Sequence, residues 1–246
     1  MSININKILN SRLNFKQISR FLQPKQPCLL CKNPHGEIFG FCSECFDDLP
    51  WHTAPHCPQC GLESSGDVCG QCLKNSPNFD HTHALLTYDF PADALLQHFK
   101  YQQAHHLAHT FGHLFANHLS KTHAQLSNID AILPMPMHPT RLKERGFNQA
   151  LEIARILAKN LALPLDIESC FRKKWTPPQA TLPLKDRVKN MQDVFACNKN
   201  LQGLNIALMD DVMTSGASLN ALAKTLKQAG ANTVECWVVA RTMPHK

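Results

Sequence analysis

Eight of the eleven cysteines fall in four identical pairs: Cys28-x-x-Cys31, Cys42-x-x-Cys45, Cys57-x-x-Cys60 and Cys69-x-x-Cys72. A two-residue gap lets one tight turn aim both sulfurs at a single ion, and two such turns complete a tetrahedral thiolate site. Ten residues separate the first two pairs and eight the last two, a rhythm that predicts two zinc sites of ribbon type. Sequential grouping puts Cys28, Cys31, Cys42 and Cys45 on one Zn²⁺ and Cys57, Cys60, Cys69 and Cys72 on the other. Interleaved grouping, first pair with third, stays open, as does iron–sulfur ligation. With all four positions filled by protein, neither ion keeps an open site for catalysis, so the module is structural or recognises a partner. Cys170, Cys197 and Cys236 stand outside it and read as buried small hydrophobes.

A second constellation lies near the C-terminus. The apolar run Ile206–Met209 leads into Asp210-Asp211-Val212-Met213-Thr214-Ser215-Gly216-Ala217-Ser218, and then into a helical pattern. A strand ending at the carboxyl edge of a parallel sheet is where such folds hold ligands. Free N–H groups and the positive end of a helix dipole make the following turn an anion site. Gly216 lets the backbone approach a phosphate, and the hydroxyls of Thr214, Ser215 and Ser218 add donors. Adjacent carboxylates repel unless they engage hydroxyls or a cation, and the two hydroxyls of a ribose meet that need. A plain strand–turn–helix with a good N-cap is the competing reading. A Walker loop and a dinucleotide fingerprint are both excluded, since neither G-x-x-x-x-G-K-[ST] nor G-x-G-x-x-G occurs.

These residues need a scaffold. Residues 24–78 carry the cysteine pairs, several prolines and glycines and little apolar periodicity, so cross-links must replace an ordinary core. From residue 79 to 246 helix and strand signals alternate. Strands are expected over His83–Asp89, Ala131–Met135, Ile206–Met209 and Val234–Ala240. Helices are expected over Ala92–Tyr101, Leu107–Leu119, Phe147–Leu161 and Leu219–Ala229. Asp166–Arg172 and Leu184–Asp193 flank a proline-rich loop. Alternation of this kind predicts a parallel sheet covered on both faces, an α/β domain. Residues 1–23 read as a basic amphipathic helix that docks onto the rest of the chain.

The chain has 246 residues with 43% hydrophobic and 18% charged, enough for a sizeable core and too apolar for general disorder. Its net charge of +6 is concentrated between Thr140 and Lys189, where eleven Lys and Arg face five Asp and Glu. A local basic surplus suits a phosphorylated ligand or a nucleic-acid backbone. The first residues lack a secretory pattern and no run of about 18 apolar residues occurs, so a cytoplasmic location is expected, where paired cysteines bind metal. His105, His109 and His113 share a helical face, but no cysteine or carboxylate joins them.

The stretch Leu208–Ser218 resembles the PRPP-binding signature of type I phosphoribosyltransferases, PRPP being 5-phosphoribosyl-1-pyrophosphate. Serine stands at 215 and 218 where that family more often has threonine, and both keep the hydroxyl. The resemblance implies that Asp210 and Asp211 hold the ribose hydroxyls and that Thr214, Ser215, Gly216, Ala217 and Ser218 hold the 5′-phosphate. Pro134-x-Pro136-x-His138-Pro139-x-Arg141-x-x-x-Arg145-Gly146-Phe147-Asn148-Gln149, with Gln179, Arg187-x-x-Asn190 and Phe195, resembles the ComF family. Its layout is a double zinc ribbon ahead of a phosphoribosyltransferase-like domain. The likeness covers residues 24–241.

It implies Mg²⁺ bound with PRPP, displacement of pyrophosphate at the anomeric carbon, and a part in natural transformation. The partners it implies are a DNA-uptake helicase or other competence proteins. Arg141 and Arg145 are the candidate partners of pyrophosphate, with Lys173 or Arg187 as further cations. The Lys173–Leu184 stretch reads as a lid or as an ordinary loop. No side chain stands out as a general base, so the acceptor is not readable. Two classes of function follow. One is an enzyme that transfers phosphoribose. The other is a binding protein for single-stranded DNA, with the basic 140–189 region on the phosphates and Phe147, Phe171, Trp175 and Phe195 as candidate stacking residues.

Overall fold

The structure, a computed structural model, describes residues 26–101, 104–122, 126–174 and 193–244. The segment read as an N-terminal helix, the proline-rich stretch beyond Lys174, Trp175, Gln179, Arg187 and Asn190 lie outside them. The chain divides into two compact units, residues 1–48 and 49–246. Among the described residues the smaller unit holds the first two cysteine pairs and the short helix α1 (Ser43–Asp47). The larger unit holds the last two pairs and the α/β domain.

In the larger unit, α2 (Gly70–Lys74) is followed by β1 (His81–Thr87), α3 (Ala92–Tyr101), α4 (His106–Thr122) and β2 (Ala131–Pro134). Next come α5 (Pro139–Arg145), α6 (Gln149–Leu161), β3 (Cys170–Arg172), β4 (Phe195–Cys197), β5 (Asn205–Met213), α7 (Ala217–Gln228) and β6 (Thr233–Arg241). The main sheet runs β1-β6-β5-β2 and every pairing in it is parallel. The near-continuous apolar runs of β5 and β6 belong to strands buried on both faces. Val234, Cys236 and Val238 pack with Leu219, Leu222 and Leu226 of α7 on one face. On the other, the Trp237 ring lies 6.4 Å from Phe115 of α4. The alternation read in the sequence therefore produces the parallel α/β domain expected.

Differences from the expected elements are local. β5 runs to Met213 rather than ending at Met209, because β6 continues beside it and pairs Asp210 with Val238, Val212 with Ala240 and Met213 with Arg241. The two carboxylates thus sit on a strand and not in a loop. The short helix α5 was not expected. Pro139 opens it, the His138 ring accepts a hydrogen bond from the Thr140 N–H, and Gly146 closes it in the left-handed region. β3 and β4 form an antiparallel ribbon that places Cys170 opposite Cys197. Cys170 and Cys236 are buried as expected, whereas Cys197 is half-buried.

Helix α6 begins at Asn148, whose side chain accepts from the Leu151 N–H, and it packs on α4. Their contact is close at Gly112, where a Cβ would come within 2.5 Å of the Ile156 Cβ. Gly112→Leu should therefore lower the unfolding free energy by about 1–3 kcal/mol through overpacking. Urea denaturation measures it, and an unchanged midpoint would show that the helices can separate freely.

Candidate functional site

Each cysteine set is built the same way. The first pair lies in a turn closed by a backbone bond, from the Lys32 N–H to the Cys28 carbonyl (3.0 Å) and from the Gly61 N–H to the Cys57 carbonyl (2.9 Å). The second pair opens a helix, with Cys42 and Cys69 as N-cap residues of α1 and α2. The four sulfurs of Cys28, Cys31, Cys42 and Cys45 lie within 4.8 Å of one another, as do those of Cys57, Cys60, Cys69 and Cys72. The grouping is sequential, which decides the alternative left open by the spacing.

The Cys31–Cys42 sulfurs are 3.6 Å apart and the Cys60–Cys69 sulfurs 3.7 Å. Zn–S bonds of about 2.3 Å in a tetrahedron give sulfur–sulfur edges of about 3.8 Å, so both sets fit zinc and neither is a disulfide. Burial opposes ionisation of Cys28, yet backbone N–H groups in its turn outweigh it and lower the thiol to about 6. Cys57 is likewise lowered to about 7 against its burial. Burial and the neighbouring sulfurs raise Cys45 and Cys72, so four thiolates need a cation among them.

The second constellation gathers at the carboxyl end of β5. Consecutive residues of a strand point to opposite faces, so Asp210 and Asp211 diverge. Asp211 is buried, and its Oδ2 lies 3.0 Å from the Lys100 Nζ at the end of α3. Asp210 is half-buried, and its Oδ1 accepts from the Asp211 N–H at 2.9 Å. Burial, reinforced by the Asp211 carboxylate, pushes its carboxyl up to about 7, with Lys100 and Arg172 pulling the other way. After Met213 the chain turns through exposed Thr214 and Ser215 to Gly216, the N-cap of α7, which sits at φ 76°. A glycine meets that dihedral without strain and brings no capping side chain. Apart from the Ala217 N–H, which donates to the Ser215 Oγ at 3.4 Å, the first turn of this twelve-residue helix has no side-chain cap among the described residues.

Cations converge on the carboxylates from several elements. Arg145, half-buried at the end of α5, is lowered by burial and by neighbouring Arg141, and is supported by Asp211, Tyr101 and Asp210. Its guanidinium lies 5.7 Å from the Tyr101 ring centre and donates to the Gln149 Oε1 at 3.0 Å. Gln149 is 2% exposed, and its Nε2 has no partner among the described residues. Arg172 on β3 also feels Arg141 and Asp210. Arg141 and Arg145 thus share the neighbourhood of the acidic pair.

Lys173 lies elsewhere. It is exposed and lines a cleft of about 780 Å³ between α7 and the β3–β4 ribbon, with Asp193, Phe195, Asn220 and Lys224. The carboxylates do not line that cleft. Lys100 and Arg172 were missed in the sequence because nothing local marks them. Of the histidines, His105 packs on Phe147 at 4.5 Å, and among the described residues only the two cysteine sets converge as metal ligands.

Double cysteine clusters and a parallel-sheet domain whose interior strand carries paired carboxylates define a double-zinc-ribbon α/β protein. The model of the double zinc ribbon domain matches residues 18–73. Competence protein F of Haemophilus influenzae is 33% identical over 223 residues, 87% of this chain and 96% of that protein. The DNA utilization protein YhgH of Salmonella typhimurium is 28% identical over 88% and 97% of the two chains. Competence protein ComFC of Bacillus subtilis is 27% identical over 87% and 95%. A purine phosphoribosyltransferase structure from Pyrococcus horikoshii aligns with 55% of this chain and 82% of its own, at 15% identity and a TM-score of 0.34. The chain belongs to the ComF (competence protein F) family. Among the described residues no helix is long and apolar enough to cross a membrane.

Two outcomes follow. Each chain should hold two zinc ions, and Cys31→Ser and Cys69→Ser should each lose one, read by elemental analysis; loss of both ions from either single variant would contradict separate sites. The raised Asp210 carboxyl favours the folded state while protonated. That stabilisation is complete below about pH 4 and disappears as the pH rises through about 7. Urea midpoints of the empty protein should therefore fall across this window, and Asp210→Asn should flatten the fall. Parallel curves for the two proteins would rule out this origin.

Proposed function

We propose that the protein binds PRPP, with Mg²⁺, at the carboxyl end of β5. The observation that carries this reading is the N-terminus of α7, whose N-cap Gly216 brings no capping side chain, a short turn after two carboxylates on an interior strand. In it, the amides and hydroxyls of Thr214, Ser215, Gly216, Ala217 and Ser218 receive the 5′-phosphate. Asp210 and Asp211 accept hydrogen bonds from the ribose hydroxyls, most strongly when ionised. Phosphate charge brought next to them would be balanced by Lys100, Arg141, Arg145 and Arg172, with forked guanidinium groups suited to pyrophosphate oxygens. Bound Mg²⁺ would neutralise pyrophosphate and favour its departure as a leaving group. Gln149, with a buried amide nitrogen lacking a partner among the described residues, is a donor available to the same ligand. If transfer occurs, the C1–O bond to pyrophosphate breaks, pyrophosphate leaves with its electron pair, and the acceptor bonds to the anomeric carbon; Lys173 lines the cleft beside α7 instead, and Arg187 lies outside the described residues.

A second reading has its own support. Tyr101 is 73% exposed beneath Arg145, a pairing suited to stacking an unpaired base. The relatives' names speak of competence and DNA utilization, and we place this protein in the same process, as a cytoplasmic factor acting on incoming single-stranded DNA. The two readings are compatible, since both use the basic surface around α5.

Calorimetry with PRPP and Mg²⁺ tests the first. The wild type should release heat, and Asp210→Asn/Asp211→Asn should lose about tenfold or more in affinity, as expected for hydrogen bonds to charged groups. No heat from the folded wild type overturns the assignment. Binding of a single-stranded oligonucleotide should weaken steeply with salt and drop further in Tyr101→Ala; salt-independent binding would count against phosphate contacts.

A further inference from the structure

Beyond ligand binding itself, the second cysteine set and the loop after β5 share one buried guanidinium. Arg241, the last residue of β6, is 3% exposed. Its Nε donates to the Cys60 carbonyl at 2.8 Å. Its Nη1 donates to the carbonyls of Met213 at 3.0 Å, Thr242 at 2.9 Å, and Thr214. Cys60 belongs to the second metal set, and Met213 and Thr214 are the last residue of β5 and the first of the loop.

Peptide planarity gives these bonds a directional consequence. The Met213 carbonyl lies in one plane with the Thr214 N–H, and the Thr214 carbonyl with the Ser215 N–H, each pair pointing in opposite directions. Anchoring both carbonyls on Arg241 therefore aims both amides away from it. The planar guanidinium can hold such an arrangement, because its donors are fixed in a fork. All four acceptors are neutral carbonyls, whereas a buried arginine is usually met by a carboxylate. The concentrated negative charge beside it is the thiolate set, which exceeds the charge of one Zn²⁺.

Further bonds tie the same pieces together. The Thr82 N–H donates to the Pro58 carbonyl at 2.9 Å and its Oγ1 to the Gln59 carbonyl at 2.6 Å. The Thr242 N–H donates to the Met213 carbonyl at 3.0 Å. The Asn78 N–H and Nδ2 donate to the Asn220 Oδ1 on α7, at 2.6 Å and 2.9 Å.

We propose that Arg241 is a positioning residue through which zinc at the Cys57/Cys60/Cys69/Cys72 site orders the Thr214–Ser218 loop and thereby sets its affinity for a phosphorylated ligand. Loop order stands independently of the PRPP reading; the affinity half rests on it. Zinc holds the Cys57–Gly61 turn, the turn presents the Cys60 carbonyl, and Arg241 transmits that placement to the loop. The first zinc site lies in the other unit and has no part in this chain of bonds.

Hydrogen exchange on the full chain tests it. The Cys31→Ser protein, which keeps the second zinc, should retain wild-type protection at the Thr242 and Asn220 amides, which bond the Met213 and Gly216 carbonyls at the two ends of the loop. Chelating its remaining zinc should speed their exchange about tenfold, the scale of a lost charged hydrogen bond, while α6 amides stay protected. Arg241→Met with zinc bound should do the same, and Arg241→Lys should recover part of the protection. Unchanged loop exchange after chelation overturns the proposal, and so does equal loss of protection across α6, which would mean global unfolding. If Arg241→Met does not fold, the chelation experiment decides alone. PRPP–Mg²⁺ affinity should fall with loop protection. A loop that loosens in a wild type giving no heat with PRPP would leave the coupling standing and remove the ligand reading.

Discussion

Two carboxylates on consecutive positions of an interior strand are costly to ionise, since burial removes water from both and each opposes the charge of the other. The elements around the end of β5 answer that constraint. Lys100 comes from α3 and lies on Asp211, while Arg172 from β3 acts on Asp210. Arg145 from α5 feels both carboxylates. Lys100 and Arg145 each act on both carboxylates, so the two charges are compensated jointly. The site is therefore charged, partly compensated and raised in proton affinity, a common condition of functional sites.

The zinc sites answer a different constraint. Residues 26–78 contain few large apolar side chains that could form a core, and the two short helices α1 and α2 have five residues each. Isolated helices of that length do not persist in water. A tetrathiolate ion replaces the missing core by fixing a turn against a helix start. The second of these sites adjoins the sheet through Thr82 and Arg241, so its geometry belongs to the domain that holds the carboxylates. The Arg241 side chain thus ties metal ligation and the loop after β5 into one hydrogen-bonded block.

Much of this was legible in advance where the causes are local. The cysteine pairs announce their chemistry through a gap of two residues, and a turn is all that gap requires. The strand leading to Asp210, the glycine at 216 and the helix after it are read from one short stretch. The helices over 92–101 and 149–161 follow from periodicity alone. What escaped was whatever another segment imposes. β5 extends through Val212 because β6 runs beside it. Lys173 and Arg172 are indistinguishable as sequence neighbours, yet the ribbon turns one toward Asp210 and the other into the cleft beside α7.

By itself, then, the chain determined its metal ligands, its parallel α/β class and the place of the glycine turn between β5 and α7, because short-range spacing and side-chain period encode each of these. Only the tertiary structure decided that the cysteines group sequentially, that Lys100 meets Asp211 across more than a hundred residues, and that Arg241 joins Cys60 to Thr214. The physical reason is that these are contacts between segments distant along the chain. Their formation depends on how whole elements pack, and no local pattern of residues carries that information.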